Sequence, residues 1–157
     1  NRHYPGSFYD YLPVENCRDM LEKARSAMDD LSGFIGAAAV SDYKPRPRSG
    51  KVPSGQSDLC LQLETNPDII STLRQEFSEN TFVGFAAQPE LDESAARNKL
   101  NSKDLDAIVL NEINKAGSDL NRALCFTAES CCYDFGERDK LSLALQLWLC
   151  LLQNDLD

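Results

Sequence analysis

The sequence predicts an α/β domain with a mostly parallel sheet. Three observations carry this. Short continuous apolar runs occur at Phe34 to Val40, Thr81 to Ala87 and Ala107 to Leu110. Between them lie segments with helical periodicity. A strong helix-start signal, Asn66-Pro67-Asp68, separates the first run from the second. Strands of a parallel sheet are buried on both faces and read as unbroken apolar runs, and the helices that connect them alternate with those runs in the chain.

Residues 1–13 hold little periodic signal. From Asn16, apolar residues fall at Met20, Leu21, Ala24, Ala27, Met28 and Leu31, the i, i+3, i+4, i+7 spacing of an amphipathic helix. Phe34 to Val40, rich in small residues, reads as a strand buried on both faces. Residues 41–58 carry Pro45, Pro47, Pro53, Gly50 and Gly55 and read as a long loop of the kind that often has a function. Leu59 to Leu63 alternates weakly, as a strand would. The pattern predicts a helix from Asn66 to about Phe77, with Asn66 as N-cap, Pro67 at the first helical position and an acid in the first turn. A strand over Thr81 to Ala87 and a charged helix over 90–103 follow. Ala107 to Leu110 is the next strand and leads to a turn-rich stretch through Gly117-Ser118-Asp119. Arg122 to Ala128 reads as a strand, Tyr133 to Arg138 as a turn, and Lys140 to Leu152 as a closing helix.

The 157 residues, 42% hydrophobic, suit one domain over 1–157 that buries roughly 70% of its unfolded surface. A net charge of −9 disfavours nucleic acid, which requires clustered cations. Lys44, Arg46, Arg48 and Lys51 are concentrated in the 41–58 loop against only Asp42 and Asp58, an arrangement suited to a small anion. The six cysteines include no C-x-x-C pair, and His3 is the sole histidine, so a zinc site is not indicated. Cys60, Cys125 and Cys150 sit in apolar runs and read as small buried hydrophobes, in keeping with a reducing cytoplasm. The Leu141 to Leu152 run is too short to span a bilayer.

In open parallel sheets, ligands bind beyond the carboxyl ends of the strands. Val40-Ser41-Asp42, the Asn66 helix start, Phe85-Ala86-Ala87 and Asn111 all fall there. Asp42 suits a ribose hydroxyl or a metal, and equally a plain turn. The helix start offers free N–H groups to an anion, although capping explains Asn66 and Asp68 as well. Lys99 and Lys103 share a helix face on which two ammonium groups could straddle a polyphosphate, or simply be solvated. No G-x-G-x-x-G, no G-x-x-x-x-G-K-[ST] and no Ser-His or Cys-His pair is present, so chemistry here would be electrostatic.

A series of motifs occurs in order: Ala37-Ala38-Ala39-Val40-Ser41-Asp42-Tyr43, Lys51-Val52, Asn66-Pro67-Asp68-Ile69, Val83-Gly84-Phe85-Ala86-Ala87, Ala96-Arg97-x-Lys99-Leu100-x-x-Lys103-x-Leu105-Asp106, then Asn111 and Ser118-Asp119-x-Asn121. The series resembles the synthetase domain of the bacterial phosphopantothenoylcysteine synthetase/decarboxylase family, bifunctional flavoproteins of coenzyme A biosynthesis, over roughly residues 12–152. The resemblance implies a Rossmann-like three-layer domain, a homodimer, and CTP with Mg²⁺. It implies a phosphopantothenate–cysteine ligase that activates 4′-phosphopantothenate as an acyl-cytidylate for attack by cysteine. By motif position Gly36, Ala37 and Ala38 would approach the nucleotide, Asp42 would hold ribose or base, and Thr65, Asn66, Pro67 and Asp68 would line the base pocket. Phe85 would pack on the nucleoside, Lys99 and Lys103 would face the triphosphate, and Lys51 would be the catalytic cation closing over the reacting groups.

Two departures qualify the resemblance. The family's loop commonly has lysine at the first, third and fourth places, whereas this chain reads Lys51-Val52-Pro53-Ser54. The family's first βα unit, with its Asn-x-Ser-Ser-Gly segment, has no counterpart in this sequence. A noncatalytic nucleotide-binding or assembly module needing a second chain is the alternative expectation. A flavodoxin-like FMN binder is a third, disfavoured by the lack of a Ser/Thr-rich phosphate loop.

Overall fold

The computed structural model describes residues 10–51, 55, 58–112 and 120–154. In chain order the elements are α1 (Cys17–Met28), β1 (Gly33–Gly36), β2 (Tyr43–Pro45), β3 (Leu63–Thr65), α2 (Ile69–Glu76), β4 (Thr81–Gln88), α3 (Glu93–Ser102), β5 (Ala107–Glu112), β6 (Leu120–Thr127), β7 (Cys132–Asp139) and α4 (Lys140–Asn154). The main sheet has the order β1-β4-β5-β6-β7, and β2 and β3 form a separate antiparallel ribbon. Pairing is parallel for β1 with β4 and β4 with β5, then antiparallel through β6 and β7. The expected α/β class holds. Its parallel portion, β1-β4-β5, lines up the carboxyl ends that form the site.

Side chains alternate across the sheet with the period of two that a strand imposes. Phe82, Ile108, Leu110, Leu124 and Phe126 face one way and pack with Leu21, Met28, Leu73 and Leu100 of α1, α2 and α3. Val83, Val109, Ala123 and Cys125 face the other way and meet Leu147 and Cys150 of α4. The result is three layers: helices, sheet, helix. Burying side chains such as Phe82, Leu73 and Phe126 is worth about 1.5–3 kcal/mol each. A second tie comes from Asp106, whose carboxylate accepts from the Phe82 amide at 2.6 Å and from Arg74 at 3.3 Å.

Several boundaries differ from expectation. The run from Phe34 to Val40 is a strand only as far as Gly36, and it is not buried on both faces. Phe34 packs against Phe82, ring centroids 6.1 Å apart, while Ile35 is 44% and Val40 38% exposed. The reason is position: β1 pairs only with β4 among the described residues, and α4 lies over β6 and β7 at the other end. The segment at Leu59 to Leu63 is exposed and reaches strand form only over Leu63–Thr65, where it pairs with β2. The 41–58 stretch is therefore partly structured, and its continuation is held by the Arg46 amide on the Gln62 carbonyl at 2.8 Å. Tyr133 to Arg138, expected as a turn, is the middle of β7. Gly136, at φ 68°, and an irregular register opposite Ala123 and Leu124 absorb the turn-like residues without ending the strand. Of the cysteines expected to be buried, Cys125 and Cys150 are, and Cys60 is exposed. The stretch containing Gly117, Ser118 and Asp119 lies outside the described residues, as do Val52, Pro53 and Ser54.

Candidate functional site

After Gly36 the chain leaves the sheet in a tight crossing, with Val40 donating its amide to the Ala38 carbonyl at 3.1 Å. The loop is then locked to the segment before α2. Asn66 donates its amide to the Asp42 carbonyl at 2.8 Å and its Nδ2 to the Ser41 carbonyl at 2.8 Å. Asn66 is thus a loop clamp, which corrects its expected role as N-cap. The cap is Asp68, whose carboxylate accepts from the Ser71 amide at 3.3 Å, and α2 begins at Ile69. Pro67 consequently precedes the cap and does not occupy the first helical position.

Lys99 and Lys103 share the inner side of α3 but have separate partners. Lys99 Nζ donates to the Phe85 carbonyl at 2.8 Å, and Lys103 Nζ pairs with Asp68 at 2.7 Å. Burial, then the neighbouring Lys103 charge, lowers the Lys99 ammonium pKa, opposed by Asp68 and Asp42. For Asp68, burial acts upward, but hydrogen bonds from Lys103 and Ser71 prevail and the carboxyl ends below its ordinary value. The carboxylate of Asp68 already occupies the α2 amide end and neutralises Lys103. Of the two ammonium groups expected to straddle a polyphosphate, Lys99 alone is not committed to a carboxylate.

These residues line a polar cleft of about 330 Å³ holding Gly36, Ala38, Asp42, Thr65, Asn66, Pro67, Asp68, Phe85, Lys99 and Lys103. Beside it opens a larger apolar cleft of about 900 Å³, with Ala37, Ala38, Val40, Phe85 and Lys99 on its walls. Ala38, Val40, Phe85 and Lys99 border both, so the two clefts are continuous around the end of β4. Lys51 borders neither: it is exposed on the basic loop. In that loop, Lys44 and Arg46 both pair with Glu64, at 3.2 and 3.8 Å, which reduces its free positive charge.

Sequence reasoning did not pick out the far wall of the apolar cleft. Leu143, Leu147 and Trp148 of α4 form it, with Gln88 and Asn121 among its polar groups. The available signal was that Lys140 to Leu152 is apolar on every side, so one face had to lie away from the sheet.

The arrangement suits a ligand with an apolar or planar body, a hydroxyl for Asp42, and one anionic group for Lys99. Among the described residues no cluster of three or more His, Cys, Asp or Glu side chains is arranged to hold a metal. No helix among them is long and apolar enough to cross a membrane.

A protein-family model described as the DNA/pantothenate metabolism flavoprotein C-terminal domain matches residues 4–154. The chain is 33% identical to the coenzyme A biosynthesis bifunctional protein CoaBC of Bacillus subtilis, over 73% of this chain and 28% of that protein. It is 31% identical to the protein of the same name from Thermococcus kodakarensis, over 92% of this chain and 37% of that protein. The chain therefore spans only about 28% of the length of the Bacillus relative. Among solved structures it is similar to a C-terminal domain of CoaBC, with TM-score 0.69, 24% identity, and 90% and 67% of the two chains covered. It is also similar to the DNA/pantothenate metabolism flavoprotein of Streptococcus pneumoniae, with TM-score 0.72, 20% identity, and 90% and 71% covered. At these identities the two structures support the fold.

These findings correct the functional expectation. The matched family is described as the C-terminal domain of a flavoprotein, which overturns the expected CTP-dependent synthetase. The assignment to the synthetase domain, the phosphopantothenate–cysteine ligase activity and the noncatalytic-module alternative are withdrawn with it. The word flavoprotein in the family's description points to a flavin, which overturns the expected CTP and Mg²⁺. Coenzyme A biosynthesis stands in the names of the curated relatives, and pantothenate metabolism in the description of the family. The residues fit the phosphate-bearing tail of FMN: Asp42 for a polyol hydroxyl, Lys99 for the phosphate, and Phe85 with the apolar cleft for a ring. A ribonucleotide tail makes the same demands, so this donor set would suit the tail without selecting the ring.

Proposed function

Because this chain belongs to the DNA/pantothenate metabolism flavoprotein C-terminal domain family, we propose that it is a ligand-binding domain of a coenzyme A biosynthesis enzyme. It holds a phosphorylated mononucleotide at the carboxyl ends of β1 and β4. A pantothenate-derived substrate lies alongside in the apolar cleft. One observation carries this reading: Asp42, Asn66, Phe85 and Lys99, from four separate segments, meet where a polar cleft opens into an apolar one. Gly36, Ala37 and Ala38 give the ligand close access to backbone, and Thr65, Pro67 and Asp68 wall its other side.

FMN is the first ligand to test, since the family is named for a flavoprotein. The purified chain is titrated with FMN by fluorescence, with a pyrimidine ribonucleotide as comparator and Lys99→Gln as control. Saturable binding weakened by the substitution supports the site. A preference between the two ligands identifies the ring. A folded chain that binds neither overturns the proposal.

A homodimer belongs to the same proposal. The outer face of α4 exposes Leu145, at 57%, beside Leu141 and Leu149. A second copy covering this stripe removes it from water. Light scattering tests this: a dimer that Leu145→Glu dissociates supports it, and a monomeric wild type removes it. Free thiols at all six cysteines support the cytoplasmic location expected from composition.

A further inference from the structure

The cleft of about 900 Å³ is not apolar throughout. Asn111 of β5, Asn121 of β6 and Lys140 of α4 border it, together with Gln88 at the close of β4. Strand geometry explains the gathering. Val109 and Ala123 face the α4 side of the sheet, so Asn111 and Asn121, each two residues along, face that side too. Asn111 pairs with Ala123 across the antiparallel β5–β6 seam. Asn121 is therefore its diagonal neighbour, and a single amide-sized group can reach both carboxamides. Asn121 in turn pairs with Arg138 of β7, and the chain enters α4 two residues later at Lys140.

Two groups at this end are uncommitted. The Lys140 ammonium has no ion-pair partner among the described residues. The neighbouring Asp139 carboxylate is spent on the helix end, where it accepts from the Leu141 and Ser142 amides at 3.0 Å each. The Gln88 side-chain oxygen is buried and accepts no hydrogen bond from any described residue. Such an atom costs stability unless a donor reaches it.

We propose, resting on the reading that a pantothenate-derived compound occupies this cleft, that its polar end recognises a hydroxyacyl amide bearing a terminal anion. Asn111 and Asn121 hold the amide, Gln88 accepts from an adjacent O–H or N–H, and Lys140 pairs with the anion. A carboxamide is donor and acceptor at once, so two on one face satisfy both the N–H and the C=O of an amide. The lysine serves a carboxylate or a phosphate as a point charge. Val109, Ala123 and Leu143, on the walls between, suit the aliphatic carbons. Lys99, which borders both clefts, remains for the mononucleotide.

The test is calorimetry on the whole chain with pantothenate, with panthenol (an alcohol in place of the carboxylate), with 4′-phosphopantothenate and, separately, with FMN. Pantothenate should bind about tenfold more tightly than panthenol, and Lys140→Gln should abolish that difference. A tighter binding of 4′-phosphopantothenate than of pantothenate that Lys140→Gln removes supports the same site with the phosphate as the anion. Asn111→Ala and Asn121→Ala should each weaken all three compounds by about fivefold, as loss of an amide contact would. Lys140 is exposed and borders only the apolar cleft, so Lys140→Gln should keep the fold and leave FMN affinity unchanged. FMN binding that persists while none of the three compounds binds, or while their affinities ignore all three substitutions, overturns this site and leaves the mononucleotide reading standing. The expected losses in a chain that binds neither FMN nor a pyrimidine ribonucleotide overturn the mononucleotide reading and support this site. A folded chain that binds none of these compounds overturns both.

Discussion

Lys103 Nζ lies 2.7 Å from the Asp68 carboxylate, so the C-cap of α3 is bonded to the N-cap of α2 across the rim of the polar cleft. One carboxylate therefore does two jobs, capping its own helix and holding the neighbouring one.

Asp68→Asn separates those jobs, because asparagine still caps. The lost pair is partly exposed, so stability should fall by roughly 0.5 kcal/mol or less. Asp68→Ala removes the cap as well and should cost about 1 kcal/mol more. The folded carboxyl titrates below its ordinary 3.8, so the unfolded chain binds more protons in that window. The charge contribution is present above pH 3.8 and disappears as pH falls through the folded value. Urea titrations of wild type and Asp68→Asn should converge there.

Lys99→Gln should weaken binding of a phosphorylated ligand by about tenfold, or 1.4 kcal/mol. The lowered ammonium pKa gives the sign of the pH dependence: the cation is lost below the 10.5 of a free lysine. Affinity in the wild type should therefore decline on the alkaline side before pH 10.5, and the Gln variant should lack that decline. Calorimetry across the range measures both.

Asn66→Ala removes the bond to the Ser41 carbonyl but no charge. It should cost about 1 kcal/mol of stability. Ligand affinity should fall with no change in its salt dependence, because the clamp positions Asp42 and adds no electrostatic attraction. Titration at two ionic strengths distinguishes this from loss of a cation.

Gly33→Ala probes the seam between β1 and β4. A Cβ there would sit 2.6 Å from the Thr81 carbonyl oxygen, and Gly33 is paired in register with Thr81. Backbone cannot yield without disturbing the pairing, so a loss of about 1–3 kcal/mol is expected in urea midpoints.

Local sequence determined the strands at Thr81 to Ala87 and Ala107 to Leu110, the α1 periodicity, and the clustering of Asp42, Asn66 and Phe85 on one rim. Unbroken apolar runs leave few alternatives to buried strands, and parallel pairing places their carboxyl ends together. Tertiary structure decided the rest. Ile35 and Val40 are as apolar as any core residue, but α4 packs on the far end of the sheet and leaves them lining a cleft. Asp134 and Gly136 look like a turn, yet pairing with β6 holds them in a strand. Lys99 and Lys103 match in spacing and type, and only the approach of Asp68 from α2 separates a neutralised lysine from an available one. Periodicity encodes which side of a segment is apolar or charged; which neighbour meets that side is a long-range fact that the local pattern does not contain.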